Sequence, residues 1–332
     1  MREPAFWWRQ AGLAANLLAP FGFVYGAVAA RRMAMEGVSA EAPVLCVGNF
    51  TLGGAGKTPA VMTLTRMLME AGEHPFCLSR GYGGDVEGPK LVHAGTDAAA
   101  RVGDEALLLA GVAPTIVSRD RPAGAALACA QGAGLIIMDD GLQNSSLRKN
   151  FTLAVIDAQR GVGNGYVFPA GPLRAPLAAQ LAQIDALLVV GEGAGARDVI
   201  EQARARTASI FRGRLALDPA EPAALRGKKV LAFAGIGNPE KFFATAVEAG
   251  IAVAERRPFD DHHRYTAEEA AELIMLAEHN GLALLTTEKD RARMTGEPLL
   301  EALATRAHTL QVTMVIEEAD ELRRLVMSTL RR

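Results

Sequence analysis

The length and composition of the chain are those of a globular protein. It has 332 residues, of which 50% are hydrophobic and 22% are charged, so intrinsic disorder and collagen-like repeats are excluded. The 35 Lys and Arg residues against 37 Asp and Glu give a net charge of −2, which argues against a nucleic-acid partner held by a broadly basic surface. Three widely spaced cysteines fit neither a disulfide framework nor a zinc site, so a reducing cytoplasm is expected.

An apolar segment without charged side chains runs from Gln10 to Ala30, and arginines flank it on both sides. Its length would suffice for a membrane-spanning helix, but Pro20, Gly22 and Gly26 dilute its hydrophobicity. A secretory signal is disfavoured because a nucleotide-binding motif follows, and a helical hairpin packed on the protein's own core stays open. An interfacial helix is favoured, with arginines meeting anionic lipid phosphates and aromatic side chains at headgroup depth. These aromatic residues are Phe6, Trp7, Trp8, Phe21, Phe23 and Tyr25.

The rest of the chain alternates short apolar runs with helical patterns. Such alternation predicts a mostly parallel sheet covered by helices. The predicted strands of the first series are residues 44–47, 76–79, 115–117, 135–138, 153–156 and 187–190. A second and smaller α/β series follows, with strands at 230–234, 251–254 and 282–286 and helices at 239–249 and 267–280.

A phosphate-binding loop is predicted between the first strand and a helix that begins near Thr58. In such a loop, backbone N–H groups and the helix N-terminus surround phosphate, Lys57 bridges the outer phosphates and the Thr58 hydroxyl meets Mg²⁺. The general pattern G-x-x-x-x-G-K-[ST] has glycine where this chain has Thr51. An accidental Gly-Lys-Thr in a strand-to-helix turn is the alternative, and the preceding strand and three glycines disfavour it. The predicted nucleotide-binding residues are Thr51, Gly53, Gly54, Ala55, Gly56, Lys57 and Thr58.

Two carboxylates, Asp139 and Asp140, end the predicted strand at 135–138. In P-loop enzymes a carboxylate at such a strand end holds magnesium or its water shell. Acidic strand ends are common in other proteins, so the preceding phosphate-binding loop is what gives this pair its significance. Thr58, Asp139 and Asp140 are therefore the predicted Mg²⁺ ligands.

Other polar residues follow predicted strands. Asp104 and Glu105 open an apolar helix, where acids that complement the helix dipole are the simple interpretation. The segment 260–263, Asp-Asp-His-His, lacks a third set of metal ligands, so an Asp–His pair that handles a proton is its better chemical use. The remaining candidates are polar loops at strand ends, where ligands of open α/β sheets bind: Arg80, Arg121 and residues 169–174.

The predicted domains divide the chain at two places. Residues 1–40 form an N-terminal membrane-interface helical segment, 41–217 a P-loop domain, and 218–332 a smaller α/β domain. The second boundary is placed at 218–222, where two prolines interrupt regular structure. Residues 309–316 are predicted as a strand and 317–331 as a final helix, and whether this tail returns to the first domain stays open.

Eight ordered motifs resemble one family, the tetraacyldisaccharide 4′-kinases of the lipid A pathway of Gram-negative bacteria. Thr51 is usual in this family, whereas Asn144 departs from it, because the family commonly has histidine at that position. The motifs are at residues 47–59, 79–84, 102–105, 139–143, 163–165, 169–174, 259–262 and 287–290.

The resemblance implies a kinase that uses ATP and Mg²⁺ to phosphorylate the 4′-hydroxyl of a tetraacylated glucosamine disaccharide 1-phosphate. It implies a P-loop NTPase-like α/β fold, with a mostly parallel sheet, helices on both faces and a second smaller α/β domain. A lipid substrate also favours the interfacial helix, an anionic membrane surface as partner, and the cytoplasmic face of the inner membrane as location. The alternative is a regulatory P-loop NTPase or a nucleotide-binding module without a lipid acceptor. The resemblance specifies no oligomeric state.

The resemblance also implies residue roles. Asp104 accepts the proton of the sugar hydroxyl, while His262 reaches across from the smaller domain to orient it or share the proton. Lys57 is the third predicted catalytic residue. The predicted substrate- or phosphate-binding residues include a supporting carboxylate and guanidinium groups, whose forked donors match phosphate oxygens: Arg80, Glu105, Arg121 and Arg174.

Overall fold

The computed structural model describes residues 3–217 and 223–330. The strands are β1 (Val44–Asn49), β2 (Pro75–Ser79), β3 (Lys90–Leu91), β4 (Thr115–Val117), β5 (Leu135–Asp139), β6 (Phe151–Asp157), β7 (Ala186–Val190), β8 (Ser209–Leu217), β9 (Lys229–Ala234), β10 (Ala252–Pro258), β11 (Ala283–Thr287), β12 (His308–Leu310) and β13 (Val312–Ile316). The α-helices are α1 (Leu13–Met33), α2 (Lys57–Glu70), α3 (Ala99–Val102), α4 (Asp104–Ala110), α5 (Arg121–Ala130), α6 (Leu177–Leu181), α7 (Arg197–Arg204), α8 (Pro239–Glu248), α9 (Ala267–Asn280), α10 (Glu288–Ala292), α11 (Pro298–Arg306) and α12 (Ala319–Leu330).

Nine strands form one sheet in the order β13-β8-β7-β6-β1-β5-β2-β4-β3. All neighbouring pairs are parallel except at the two edges, where β13 pairs with β8 and β3 with β4 in the antiparallel sense. The strand that leads to the phosphate-binding loop, β1, lies between β5 and β6. The carboxyl ends of β1, β2 and β5 therefore meet at one edge of the sheet, where open α/β sheets bind ligands. This sheet and the helices on it are called the nine-stranded unit below.

Helices cover both faces of this sheet because its central strands are apolar on both sides. Leu45 and Val47 of β1 belong to a core shared with α2, α4 and α12. Val44 of β1 and Ala154 of β6 face the opposite side, where α5, α6 and α7 pack. Consecutive side chains of a strand point to opposite faces, so uninterrupted apolar runs are what a doubly covered parallel sheet requires. The predicted fold class is confirmed.

The second sheet has four parallel strands in the order β10-β9-β11-β12. It carries α8 on one face and α9 with α11 on the other. This sheet and its helices α8 to α11 are called the four-stranded unit below. Every strand predicted in the two series is present, and the one that departs most is Ala252–Pro258, which continues beyond its predicted end.

The C-terminal tail returns to the nine-stranded unit, which the sequence left open. The single strand predicted at 309–316 is divided in two: β12 completes the small sheet and β13 pairs with β8 of the large one. The buried side chains of Met314, Ile316, Leu322 and Val326 then join the core around α2. The predicted boundary at 218–222 lies outside the described residues, and the division into three segments stays a prediction.

Helix α1 packs on the nine-stranded unit through small residues. A side chain at Gly22 would meet the Val167 carbonyl oxygen at 2.7 Å, and one at Gly26 would meet the Pro176 ring at 3.3 Å. Most large apolar side chains of the helix are exposed, whereas Met33 at its end is buried. Trp7 is an exception to the predicted aromatic fringe, because it is only 6% exposed and donates its indole N–H to the Pro169 carbonyl at 3.1 Å. The prediction that Trp7 lies at headgroup depth is therefore wrong.

Candidate active site

The phosphate-binding loop lies between β1 and α2, as predicted. Gly56 caps α2 in the left-handed region with φ +84°, a conformation that L side chains rarely adopt. Lys57 and Thr58 are the first two residues of the helix, so they lie where its N–H groups and positive dipole end point toward an anion. Thr51 is buried at the start of the loop, and its carbonyl accepts hydrogen bonds from Asn49 Nδ2 at 2.8 Å and Arg174 Nε at 3.0 Å.

Two groups hold the Lys57 ammonium at the carboxyl end of the sheet. It donates a hydrogen bond to Asn49 Oδ1 at 3.1 Å and forms an ion pair with Asp140 Oδ1 at 3.5 Å. Asp140 also accepts a hydrogen bond from Arg174 Nη1 at 2.9 Å through its other oxygen. These two cations outweigh the effect of burial and hold the pKa of Asp140 well below its usual range. Asp140 is therefore a carboxylate that shares its charge between the two cations.

Asp139, the last residue of β5, is in a different state. It is buried, and its Oδ1 has no hydrogen-bond partner within the described part of the chain. Burial, together with the charges of Glu105 and Asp140, raises the pKa of this carboxyl group. Carboxylate and hydroxyl oxygens are ligands that Mg²⁺ accepts, and an unpaired buried oxygen provides one. The chemistry of the orphaned Asp139 oxygen and the Thr58 hydroxyl thus fits a divalent cation.

Glu105 connects the helix after the phosphate-binding loop to the four-stranded unit. Its Oε1 accepts a hydrogen bond from the Thr58 hydroxyl at 3.3 Å and another from Lys289 Nζ at 2.6 Å. Lys289 and Lys57 hold the pKa of Glu105 low against the opposite effect of burial. Glu105 and Asp104 in turn overcome the effect of burial on Lys289 and raise its pKa to about 12. The pair is therefore fully charged at neutral pH.

Asp104 lies where the two units meet. Its Oδ1 accepts the Glu105 backbone N–H at 2.9 Å, while Oδ2 lies 3.4 Å from His262 Nδ1 and pairs with the Arg293 guanidinium. Gly103, the residue before Asp104, has φ +88°, and a side chain there would meet the Tyr82 carbonyl oxygen at 2.6 Å, so this position requires glycine. Burial would raise the pKa of Asp104, but His262, Arg293 and Lys289 outweigh it and hold that pKa well below its usual range.

The three predicted anion-binding arginines have different environments. Arg174 contacts Asp140, as described above, and so lies beside Lys57. Arg121 is 2% exposed and donates to the carbonyls of Ser118 at 2.9 Å and Asp139 at 3.2 Å. Burial lowers the pKa of Arg121, and the positive charge of Arg80, which is exposed just after β2, lowers it further. The structure brings the three arginines to one edge of the sheet, and their binding roles stay predictions.

Comparison with known proteins identifies the family. The family model for tetraacyldisaccharide-1-P 4′-kinase matches residues 14–331. The chain is 53% identical to the tetraacyldisaccharide 4′-kinase of Rhodopseudomonas palustris strain BisB5 over 327 residues, which cover 98% of this chain and 96% of that protein. It is 55% identical to the enzyme of the same name from Methylobacterium sp. strain 4-46 over 307 residues, which cover 92% of each. The chain belongs to this family.

A solved structure has a fold similar to that of this chain. A crystal structure of LpxK from Aquifex aeolicus in complex with ATP matches with a TM-score of 0.72 and 24% identity, covering 96% of this chain and 100% of that one. The family model and the curated relatives confirm the family resemblance inferred from the eight motifs. Proteins of this family are ATP-dependent kinases of lipid A biosynthesis. The alternative, a regulatory P-loop NTPase or a nucleotide-binding module without a lipid acceptor, is therefore not favoured.

Some residues of this kinase site were missed by sequence reasoning. Asn49 orients Lys57, and Lys289 and Arg293 pair with Glu105 and Asp104. The motif at 287–290 did include Lys289, but a Lys among several charged residues gives no sign of burial. Asn144, the departure from the family pattern, accepts hydrogen bonds from the Ser146 N–H and hydroxyl at 3.0 and 2.7 Å. In this chain it closes a turn.

Proposed function

We propose that this kinase transfers the γ-phosphoryl group of Mg²⁺-bound ATP to the 4′-hydroxyl of a tetraacylated disaccharide 1-phosphate. The observation that carries the proposal is the arrangement around Lys57. This cation lies at the N-terminus of α2, beside Asp140. The next residue of the helix, Thr58, is hydrogen-bonded to Glu105, the chain neighbour of the Asp104 that pairs with His262. A phosphate-binding helix terminus and a nearby proton acceptor are what phosphoryl transfer to an alcohol requires.

Nucleotide binding is assigned to the loop at residues 51–58. Its backbone N–H groups and the α2 dipole would hold the phosphates, and Lys57 would stabilise charge on the transferring group. Thr58, Asp139 and Asp140 would hold Mg²⁺, which when bound neutralises charge on the phosphate oxygens. Arg174 shares Asp140 with Lys57, which supports a role for it in contacting the same anion.

Proton removal from the sugar hydroxyl is assigned to Asp104. A carboxylate near the transferring phosphoryl group helps a weakly nucleophilic alcohol to attack. His262 lies 3.4 Å from Asp104 Oδ2 and comes from the segment after β10, so the pair exists only when the two units are in contact. Contact between the units would also exclude water from the site before transfer.

Membrane contact is assigned to α1. This helix of 21 residues is the one element among the described residues long and apolar enough to cross a membrane. Only 17% of its most apolar 18-residue stretch is buried. Its exposed residues Leu13, Leu17, Phe21, Val24 and Val28 recur every three or four positions and form a stripe, and Phe23 and Tyr25 are exposed beside it. Arg31 and Arg32 end the helix, where they would meet anionic headgroups. We infer an interfacial helix on the cytoplasmic face of the inner membrane.

The test of the proposed function is the dependence of ATP turnover on the lipid. Purified protein is assayed with Mg²⁺ and ATP, with and without acylated disaccharide 1-phosphate in detergent micelles, and the phosphorylated lipid is measured. Lys57→Ala should lower the rate by about 10²-fold or more, because it removes a charge aimed at the developing anion. Lys228→Ala, at an exposed position in a turn, is the matched control. Turnover that is indifferent to the lipid, or an active Lys57→Ala variant, would contradict the proposal.

A further inference from the structure

Two cations on one face of α10 reach from the four-stranded unit to the nine-stranded unit. Lys289 lies in the first turn of this short helix and Arg293 follows its last residue, so the two are four positions apart and share a face. They meet two consecutive carboxylates at the start of α4. Lys289 pairs with Glu105 and Arg293 pairs with Asp104.

Its own unit fixes the Arg293 guanidinium. Nη1 donates to the Gly235 carbonyl at 2.7 Å and to Asp290 Oδ1 at 2.9 Å. Asp290 is fully buried, and the Tyr265 hydroxyl donates to the same oxygen at 3.0 Å. These contacts leave the Nε and Nη2 edge of the planar group facing the other unit. A lysine ammonium lacks this fork and cannot make both sets of contacts.

Both Nε and Nη2 of Arg293 donate to one oxygen of Asp104. Nη2 also lies 3.5 Å from His262 Nδ1, so Arg293, Asp104 and His262 converge on one point. The side chains of Arg293 and Asp104 are 6% and 3% exposed. Removing two charges from water is unfavourable, and well-packed apolar residues are often at least as stabilising as a buried pair. Stability alone therefore does not explain an ion pair at this place.

We propose that Lys289 and Arg293 are positioning residues for phosphoryl transfer. They hold the four-stranded unit against the phosphate-binding loop and fix the orientation of two carboxylates. Arg293 acts through Asp104, and Lys289 acts through Glu105, whose Oε1 also accepts the Thr58 hydroxyl. The proposal rests on the proposed function, because that function gives Asp104 its role.

The first experiment replaces Arg293 by Lys, which keeps the charge and removes the fork. We expect kcat and kcat/KM for ATP to fall together by about 10²-fold, because a small misplacement of Asp104 acts in the transition state. KM for ATP and its dissociation constant should be unchanged. Arg291→Lys, at an exposed position of the same helix, is the control and should have wild-type kcat. Wild-type kcat in Arg293→Lys, or an equal loss in Arg291→Lys, overturns the proposal.

A second variant separates positioning from simple stabilisation. Asp290→Asn weakens the anchor of the guanidinium without touching Asp104, so a smaller loss of kcat is expected. The double variant Asp290→Asn/Arg293→Lys should be no slower than Arg293→Lys alone, because both act through one contact. Losses of kcat that multiply instead would mean two independent effects and would overturn the proposal.

A third variant keeps the proposal testable if Arg293→Lys does not fold, which thermal melting would reveal. Lys289→Met keeps the length of the side chain and removes the charge that pairs with Glu105. Its kcat should fall by about 10-fold or more, by the same positioning argument. Wild-type kcat in this variant would overturn the proposal. If the wild-type protein itself does not phosphorylate the lipid, the proposed function has failed instead, so the two failures are distinguishable.

Discussion

The Asp104 carboxylate and the His262 imidazole come from different units and lie 3.4 Å apart, measured from Oδ2 to Nδ1. Asp104 is held at the start of α4, and its other oxygen accepts a backbone N–H. His262 has φ +55° in the segment after β10, and its ring packs edge-on against Tyr82 with centroids 4.9 Å apart. Tyr82 belongs to the nine-stranded unit, so His262 is seated on that unit by two contacts. The Asp104–His262 pair is therefore formed by contact between the two units.

Replacing either member of this pair should reduce catalysis. Asp104→Asn removes the proton acceptor while keeping the shape of the side chain, so we expect turnover to fall by about 10²- to 10⁴-fold. His262→Ala should cause a smaller loss, because Asp104 remains. The measurement is lipid phosphorylation in variants that retain ATP binding by calorimetry.

His263→Ala is the control for this pair. That residue pairs with Glu269 at 2.9 Å within the four-stranded unit, and none of its contacts among the described residues is with Asp104. It should retain phosphorylation. Near-normal turnover of Asp104→Asn with intact ATP binding would refute the assignment of Asp104 as the base. Wild-type turnover of His262→Ala would show that Asp104 accepts the proton without help from His262.

The stability of the protein should depend on Asp104 in a pH-dependent way. Because the folded-state pKa of Asp104 is depressed, its ionisation stabilises the fold fully above the unfolded pKa of about 3.9, and this stabilisation is lost as the pH falls. The difference in unfolding free energy between wild type and Asp104→Asn should therefore be constant from pH 7 to 5. Below about pH 4 it should shrink by up to about 1.4 kcal/mol per pH unit. Urea titrations at each pH measure it, and an unchanged difference at pH 3 would contradict the expectation.

Arg121 and Arg80 should respond differently to truncation. Arg121→Ala removes a buried guanidinium and leaves the carbonyls of Ser118 and Asp139 without this donor, so a loss of about 1–3 kcal/mol of stability is expected. Arg80→Ala changes an exposed side chain and should alter stability by less than about 0.5 kcal/mol. Any effect of Arg80→Ala on KM for ATP or lipid then reports binding. Equal destabilisation in the two variants would show that Arg80 is structural.

Membrane binding should depend on the exposed stripe of α1. Leu17→Asp introduces a charge at a position that is 68% exposed, so folding should be unaffected while partition into an anionic interface weakens. Met275→Asp, at a position on α9 that is 66% exposed, is the matched control. Flotation with phosphatidylglycerol-containing liposomes should separate Leu17→Asp from both wild type and the control. If all three float equally, the membrane contact lies elsewhere.

The sequence by itself determined the parts of the protein whose signals are local. The apolar run before Gly53 and the Gly-Lys-Thr at 56–58 specify a strand, a loop and a helix start, because each depends on backbone geometry and hydrogen bonding within a few residues. Uninterrupted apolar strands likewise specified a parallel sheet covered on both faces. The eight ordered motifs specified the family, which a match over residues 14–331 confirmed.

Apart from the Asp104–His262 pair, which the family resemblance implied, only the tertiary structure decided which distant side chains meet. Nothing near Arg293 or Lys289 in the sequence indicates that each ends beside a carboxylate of the other unit, because burial of a charge depends on packing between units. The crossing from β12 to β13 was likewise decided by pairing with β8, since an apolar run of this length fits either sheet. The burial of Trp7, whose indole N–H donates to the distant Pro169 carbonyl, was also decided by tertiary contacts. Long-range contacts of this kind carry no local periodicity, so the sequence gives no sign of them.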